Sequence, residues 1–463
     1  MAMSEKEVPV QLRRSPGLSY QEILENDAVK PAAHFYEEHP FYEGSDPIAI
    51  SRYTTREFFE LEKQHIWRKV WQMACREEHL PEVGDTYVYN ICDLSFMLVR
   101  SAPDKIQGFW NVCNHRGRQL MSKGSKVEYL RCPFHSFAWN LDGSLAYVPT
   151  EWDFPQIERE NFGLKEVRVD TWGGFVFINP SPEGETLAEY LGEMVEHYEP
   201  FHLETRFVEA HVAKIYNANW KVVEEAFMES LHVAATHPQQ MVRLGDVNTK
   251  YDCYENFSRA LHPSGTPSPL LNWTPTEQEM LESLLDVREG EESPVQLPEG
   301  QTLRSFAAAI GREGLRGAIG DEADTLSDAE LIDATEYAIM PNFHPWGSYQ
   351  RAVYRFTPYG DSHEQAVMEV MLISPYEGNR PAPAKCVWVG ADESWTKPGL
   401  LGITGRILDQ DSTNIAQVQI GMRSAPMEGL TMSLYQESRI RHMHAWIDKQ
   451  IAKGKANEKG KYL

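Results

Sequence analysis

Residues 111–118 read NVCNHRGR, and sixteen residues separate His115 from the stretch CPFH at 132–135. Each stretch sets one thiolate beside one imidazole. Two such pairs at the tips of neighbouring β-hairpins can hold a two-iron, two-sulfide cluster, with both thiolates on one iron and both imidazoles on the other. Neutral imidazoles in place of two thiolates remove negative charge and favour the reduced state. Cys2His2 is also a zinc set, although zinc fingers open on Cys-x2-4-Cys rather than Cys-x-His. Spacing alone leaves both metals open. The flanking sequence supplies the hairpins. From Gly84 to about Val169 short alternating runs, such as Thr86–Ile91, Ser95–Arg100, Phe109–Cys113 and Glu166–Val169, are punctuated by Gly, Asp and Pro, the pattern of a small antiparallel β domain. Leu141-Asp142-Gly143-Ser144 is a hairpin turn signal.

Further along, residues 219–237 read NWKVVEEAFMESLHVAATH. Two histidines and one carboxylate form the facial triad of non-haem Fe(II) sites. This stretch offers His232 and His237, with Glu224, Glu225 and Glu229 upstream. Trp220 to Thr236 looks helical. On an ideal helix, however, residues five apart lie roughly 140° from each other. Both histidines reach one metal only if the helix ends or bulges between them, and Pro238 favours an early end.

Taken together, the two stretches resemble the large subunits of Rieske non-haem iron aromatic-ring-hydroxylating oxygenases. Cys113-x-His115 is followed by Arg-Gly as in that family. In the second loop the ligands Cys132 and His135 stand, but Ser136 and Phe137 replace the usual Gly and Trp. Asn219, Trp220, Lys221, Glu225, His232 and His237 match the catalytic signature, whereas Ala226 stands for a common Asn and Glu229 for the usual Asp. The resemblance implies that Cys113, His115, Cys132 and His135 bind a [2Fe-2S] cluster. His232 and His237 then bind mononuclear Fe(II), and Glu229 bridges the two centres. The segment 407–424, ILDQDSTNIAQVQIGMRS, resembles a late family segment that supplies the third ligand. Asp411 is that ligand by resemblance, with Asp409 as its rival. Asp411 followed by Ser412 and Thr413 also reads as a helix N-cap.

The implied fold is α+β: a small antiparallel β Rieske domain and a helix-grip catalytic domain, an antiparallel sheet holding a long helix. The divisions expected are an N-terminal arm over 1–48, the cluster domain over 49–168 and the catalytic domain over 169–463. The stretch Pro263 to Asp321, rich in Pro, Gly and Glu with two helical runs, reads as an excursion over a pocket mouth. The terminal helix carries Ile440, Met443, Trp446, Ile447 and Ile451 as one stripe. Phe227, Met228, Leu231, Val233 and Met340 are candidate pocket residues.

Composition narrows the function classes. The 463 residues carry 44 basic and 68 acidic side chains, a formal net charge of -24, which repels nucleic acid and anionic membranes. No run approaches the roughly 18 apolar residues needed to span a membrane. Met1 to Arg14 has no apolar core of a secretory signal, and six cysteines are too few for a disulfide scaffold. A cytoplasmic location is expected. The implied activity is that of a terminal oxygenase, using O2 and electrons that start at NAD(P)H and arrive through a ferredoxin and/or a separate reductase. Its expected substrate is aromatic or otherwise bulky and hydrophobic. Dihydroxylation, monohydroxylation and oxidative demethylation share the same triad. A plain Rieske electron carrier is the rival class, but it leaves the chain after Val169 unexplained. The family implies a homotrimer, or an α3β3 assembly with a small β subunit.

Overall fold

The computed structural model describes residues 14–460, apart from 16, 289, 348, 349 and 377. Nearly all of the stretch read as lacking a signal core therefore lies outside the described residues. The arm opens with the short helix α1 (Tyr20–Leu24), closed at its start by a capping box between Ser19 and Glu22. Among the contacts that fix the arm to the second half of the chain, the Tyr20 hydroxyl donates to Asp333 at 2.8 Å, and Asp27 pairs with Arg304. Helix α2 (Arg56–Glu62) follows, with Thr55 as its cap.

Strands β1 (Gln72–Arg76), β2 (Thr86–Ile91), β3 (Leu94–Ala102), β4 (Lys105–Trp110), β5 (Leu130–Arg131), β6 (Ala138–Trp139), β7 (Leu145–Tyr147), β8 (Glu166–Trp172) and β9 (Phe175–Asn179) make two sheets. One is six-stranded in the order β1-β9-β8-β4-β3-β2, and the other is β5-β6-β7. All their pairs are antiparallel. The runs Thr86–Ile91, Ser95–Arg100 and Glu166–Val169 fall within β2, β3 and β8 as expected, whereas Phe109–Cys113 overlaps β4 only at Phe109 and Trp110, the rest forming a loop. The turn 140–144 closes β6 onto β7, with Gly143 at φ 82°, a conformation that glycine adopts without strain. β9 is buried along its whole length, as a strand covered on both faces must be.

The second half holds β10 (Arg206–Tyr216), α3 (Trp220–Glu225), α4 (Val233–Thr236), β11 (Lys250–Cys253), β12 (Phe257–His262), α5 (Glu277–Leu284), α6 (Leu303–Ile319), β13 (Ala334–Ile339), β14 (Phe343–Pro345), β15 (Ala352–Pro358), β16 (Ala366–Pro375), β17 (Val387–Val389), α7 (Gly402–Arg423) and α8 (Ser438–Gly460). Its eight strands run β11-β12-β13-β14-β15-β16-β10-β17, antiparallel except for the edge pair β10–β17. Against this sheet α8 buries Ile440, Met443, Trp446, Ile447 and Ile451. Arg439 on α8 donates to Ser258 at 3.1 Å, and Trp446 donates to Asn256 at 3.1 Å. The sheet thus grips α8, in agreement with the expected class.

Two sequence expectations are corrected. Trp220 to Thr236 is not one helix: α3 ends at Glu225 and the one-turn α4 begins only at Val233. Asp411 is not at a helix start but lies in the middle of α7. Leu408, Asp411, Ile415, Gln419 and Met422 are all buried and share one helical face. Burial of that face carries the helix through Asp-Ser-Thr, overriding their weak local preference for a cap. Ser412 adapts by donating back to the Leu408 carbonyl at 2.7 Å, a helix-compatible bond. Among the described residues no helix is long and apolar enough to cross a membrane.

Candidate metal centres

The two Cys-x-His stretches fold alike. The Cys113 N–H donates to the Arg118 carbonyl at 2.8 Å and the Gly117 N–H returns to the Cys113 carbonyl at 2.9 Å. In the second loop the Cys132 N–H donates to Phe137 at 2.8 Å and the Ser136 N–H to Cys132 at 3.0 Å. Position four after each cysteine is left-handed, Gly117 at φ 72° and Ser136 at φ 63°. The Gly-to-Ser change therefore leaves the loop geometry intact. Cys113 and Cys132 are buried and free, and the His115 and His135 rings meet edge to face, 4.8 Å between centroids. Phe137 is fully buried and stacks on His115 at 4.7 Å. The Nδ1 of His115 is buried without a partner, a cost that a bonded metal removes. The donor set and this orphaned nitrogen fit a cluster held between the loops. Neither cluster imidazole is paired with a carboxylate among the described residues.

The second centre is built on the break between α3 and α4. Asn219 caps α3 by accepting from the Lys221 N–H, and Trp220 and Lys221 both reach the buried Glu62. The Asn-Trp-Lys signature is thus an anchor that fixes where the chain leaves α3. Glu224 pairs with His344 at 2.8 Å. Glu225 meets Tyr53 at 2.9 Å and His444 at 2.8 Å, and burial pushes its carboxyl pKa up to about 8. Of the upstream carboxylates only Glu229 turns to the histidines.

His232 and His237 stand at the two ends of the single turn α4, which is how residues five apart come to face one point. Ligand-type atoms of His232, His237 and Asp411 lie within 4.8 Å of one another. Asp411 Oδ1 is 2.8 Å from His237 Nε2 and 3.7 Å from His232 Nε2. Both Nδ1 atoms are held from behind: that of His232 by Glu229 Oε1 at 2.8 Å, that of His237 by Gln410 Oε1 at 2.8 Å. Glu229 Oε2 also accepts the His232 backbone N–H at 3.0 Å. Burial works against a charged His232, yet its bond to Glu229 and the charges of Glu229 and Asp411 outweigh it and raise its pKa. With Nδ1 committed, both Nε2 atoms converge with a buried carboxylate, the donor set and tautomer of a two-histidine, one-carboxylate iron site. Asp409 faces elsewhere: it accepts from the Trp395 N–H at 2.8 Å and from Ser394.

The three residues line a cavity of about 280 Å³. Of the expected pocket residues Phe227 and Val233 line it. Met228 and Met340 are instead fully packed in the core, and Leu231 is 42% exposed; Met228 and Leu231 lie in the break between α3 and α4, and Met340 lies just past β13. Sequence reasoning did not single out Gln410, Arg243, His262 or Glu336. Gln410 adjoins Asp411, but nothing in its own neighbourhood marks it. Glu336 sits 3.5 Å from His262 and 3.9 Å from Arg439. Burial opposes its ionisation, but these two outweigh it and hold its carboxyl below the ordinary range. His211, Glu369 and Cys386 form a further grouping of ligand-type atoms. There Glu369 is already committed to Arg355 at 3.0 Å and His211 at 2.8 Å, which makes it an ion pair.

Residues 70–158 match the family described as Rieske [2Fe-2S] domain, and residues 193–453 match that described as Ring hydroxylating alpha subunit (catalytic domain). The glycine betaine monooxygenase oxygenase subunit of Pseudomonas aeruginosa is 31% identical over 193 residues, 42% of this chain and 45% of the relative. The 2-aminobenzenesulfonate 2,3-dioxygenase subunit alpha of an Alcaligenes species is 28% identical over 227 residues, 46% of this chain and 54% of the relative. The matched stretch thus spans about half the length of these relatives. Naphthalene 1,2-dioxygenase from a Rhodococcus species, solved with indole bound, shares the fold at a TM-score of 0.59 and 17% identity, over 88% of this chain and 94% of that one.

Proposed function

Because the chain belongs to the Rieske oxygenase large subunits, a family that carries a [2Fe-2S] cluster and mononuclear iron, we propose that it is a terminal oxygenase. It uses O2 and externally supplied electrons to hydroxylate a small substrate with an apolar body. The observation that carries this is the convergence of two Nε2 atoms and the Asp411 carboxylate on one wall of a cavity, each imidazole fixed from behind. An electron carrier needs neither the triad nor the cavity.

Cys113, Cys132, His115 and His135 hold the cluster, and His232, His237 and Asp411 hold Fe(II). Iron and cluster together supply the one-electron chemistry that O2 needs to react with organic molecules. The chain's own part is to hold, orient and exclude. Glu229 and Gln410 keep the ring tautomers with Nε2 toward the metal, and Phe227, Trp346 and Tyr354 keep bulk water from the reacting side. Glu229 is the link between centres: its carboxylate has acceptor capacity beyond the His232 bonds, open to a cluster histidine of a neighbouring subunit in a trimer. A ferredoxin and/or reductase delivers the electrons from NAD(P)H. Single-oxygen insertion is the favoured alternative to dihydroxylation, since the similar Pseudomonas protein is named a monooxygenase.

The protein purified without air should contain about three irons and two acid-labile sulfides per chain. Cys132→Ser should abolish the cluster's EPR signal after dithionite. With a reductase, NAD(P)H and a substrate panel, 18O2 should label the product. A chain that holds only the cluster's iron, or a product free of label, would overturn the reading.

A further inference from the structure

Three buried arginines of this protein are answered by acids. Arg304 pairs with Asp27 and Asp333, Arg355 with Glu369 and Arg259 with Asp252. Arg243 differs. It lines the cavity at the iron triad, six residues after His237. Its Nε is buried without a partner, and among the described residues its side chain makes no hydrogen bond or ion pair. Desolvation, with no counter-charge, lowers its pKa. Its main chain is fixed beside the cavity: the Arg243 N–H donates to the Gln240 carbonyl at 3.0 Å, and the Arg243 carbonyl accepts from the Thr266 N–H at 3.2 Å. The other charged groups of the cavity wall are spoken for. Glu336 faces His262 and Arg439, and Glu229 and Asp411 face the histidines.

An arginine left unpaired beside a cavity is costly unless something fills its place. A planar fork of N–H donors matches the oxygens of a carboxylate or sulfonate. The rest of the wall includes Phe227, Leu244, Trp346, Tyr354 and Ile407, which suits a flat or bulky apolar body. Resting on the oxygenase reading, we infer that the substrate is an organic acid: an apolar, ring-sized body carrying one anionic group that Arg243 binds. This narrows the hydrophobic substrate expected from sequence. Arg243 then acts as a specificity-determining residue, orienting the apolar end toward the iron-side wall.

The test uses the metal-loaded holoenzyme without oxygen, with iron content and cluster EPR recorded on the same samples. Benzoate, benzenesulfonate and uncharged benzamide are titrated by calorimetry. Both acids should bind at least about tenfold more tightly than benzamide, the order expected of a charge-assisted pair. Arg243→Gln should erase that preference with iron and cluster unchanged, and Arg243→Lys should keep part of it. An anion held by the metal alone would retain its preference in Arg243→Gln, and that result would overturn the inference. So would equal binding of benzoate and benzamide, or no binding of either acid at millimolar concentration. Missing mononuclear iron would instead defeat the oxygenase reading beneath it.

Discussion

At the residue scale, two aspartates in one helix have opposite employment. Asp411 is 5% exposed and meets both histidines, whereas Asp409 braces the loop at Ser394 and Trp395. Asp411→Ala should strip mononuclear iron and leave the cluster's EPR signal intact. Asp409→Ala should keep iron and lose about 1 kcal/mol of stability, as for a lost side-chain cap. Iron analysis and urea unfolding of the two variants check this, and the reverse ranking would reassign the ligand. Gln410→Leu removes the acceptor behind His237. Iron affinity should fall about 10- to 100-fold, the usual cost of losing such a partner, measured by competition with a chelator. Glu229→Gln replaces one of two acceptor oxygens by a donor, while both oxygens are used by His232. Both metals should still bind. Reoxidation of the pre-reduced cluster with substrate and O2 should slow by at least about tenfold; an unchanged rate would remove Glu229 from the electron path.

At the element scale, the cluster loops are two copies of one turn, and the second copy uses a serine where backbone geometry favours glycine. A left-handed residue with a Cβ costs about 1 kcal/mol, partly offset by the greater freedom glycine has when unfolded. Ser136→Gly should therefore raise the unfolding midpoint slightly and leave the EPR signal unchanged. Phe137, by contrast, fills the core under the cluster, stacked on His115 and set edge-on to Phe154 at 5.4 Å. Phe137→Ala should cost about 3–5 kcal/mol, read by urea unfolding, and broaden the EPR signal as His115 loses its wall. The iron histidines depend on an interrupted element in the same way. The i,i+5 spacing announced that a regular helix could not serve, and the chain answers with a break and a single turn.

At the scale of the whole molecule, the N-terminal arm, the excursion and the catalytic sheet are clamped by one buried cluster. Asp27 comes from the arm, Arg304 from α6 in the excursion, and Asp333 from the entry to β13. Removing the arginine leaves two buried carboxylates uncompensated, so Arg304→Ala should cost about 3–5 kcal/mol and open the 263–321 excursion to limited proteolysis. Close by, His34 of the arm stacks on His197 at 4.3 Å. Burial, followed by the charge of Arg259, lowers the His197 pKa to about 2 and that of His34 to about 3. Both folded values lie below the ordinary 6.5. The unfolded chain therefore takes up protons first as pH drops. Their contribution to stability is whole above pH 6.5 and is lost below it, on the order of 1 kcal/mol per pH unit for His197. Urea midpoints at pH 7.5 and 5.5 should show this decline, and it should shrink in His197→Phe.

What the sequence determined by itself was short in range. Cys113, His115, Cys132 and His135, and likewise His232 and His237, lie within single turns or loops, so spacing already states how the chain must bend there. The alternating strands and the Ile440–Ile451 stripe were legible for the same reason, since period and burial coincide along one element. Only the tertiary structure decided which aspartate and which backing group the two histidines face. Asp411 meets His237 across 174 residues of chain. Asp409 and Asp411 are two residues apart, about 200° around a helix, so the choice rests on which face of α7 turns inward. Gln410 and Arg243 were hidden for the same cause. A residue's local sequence sets its chemistry, but the packing of distant elements sets what that chemistry faces.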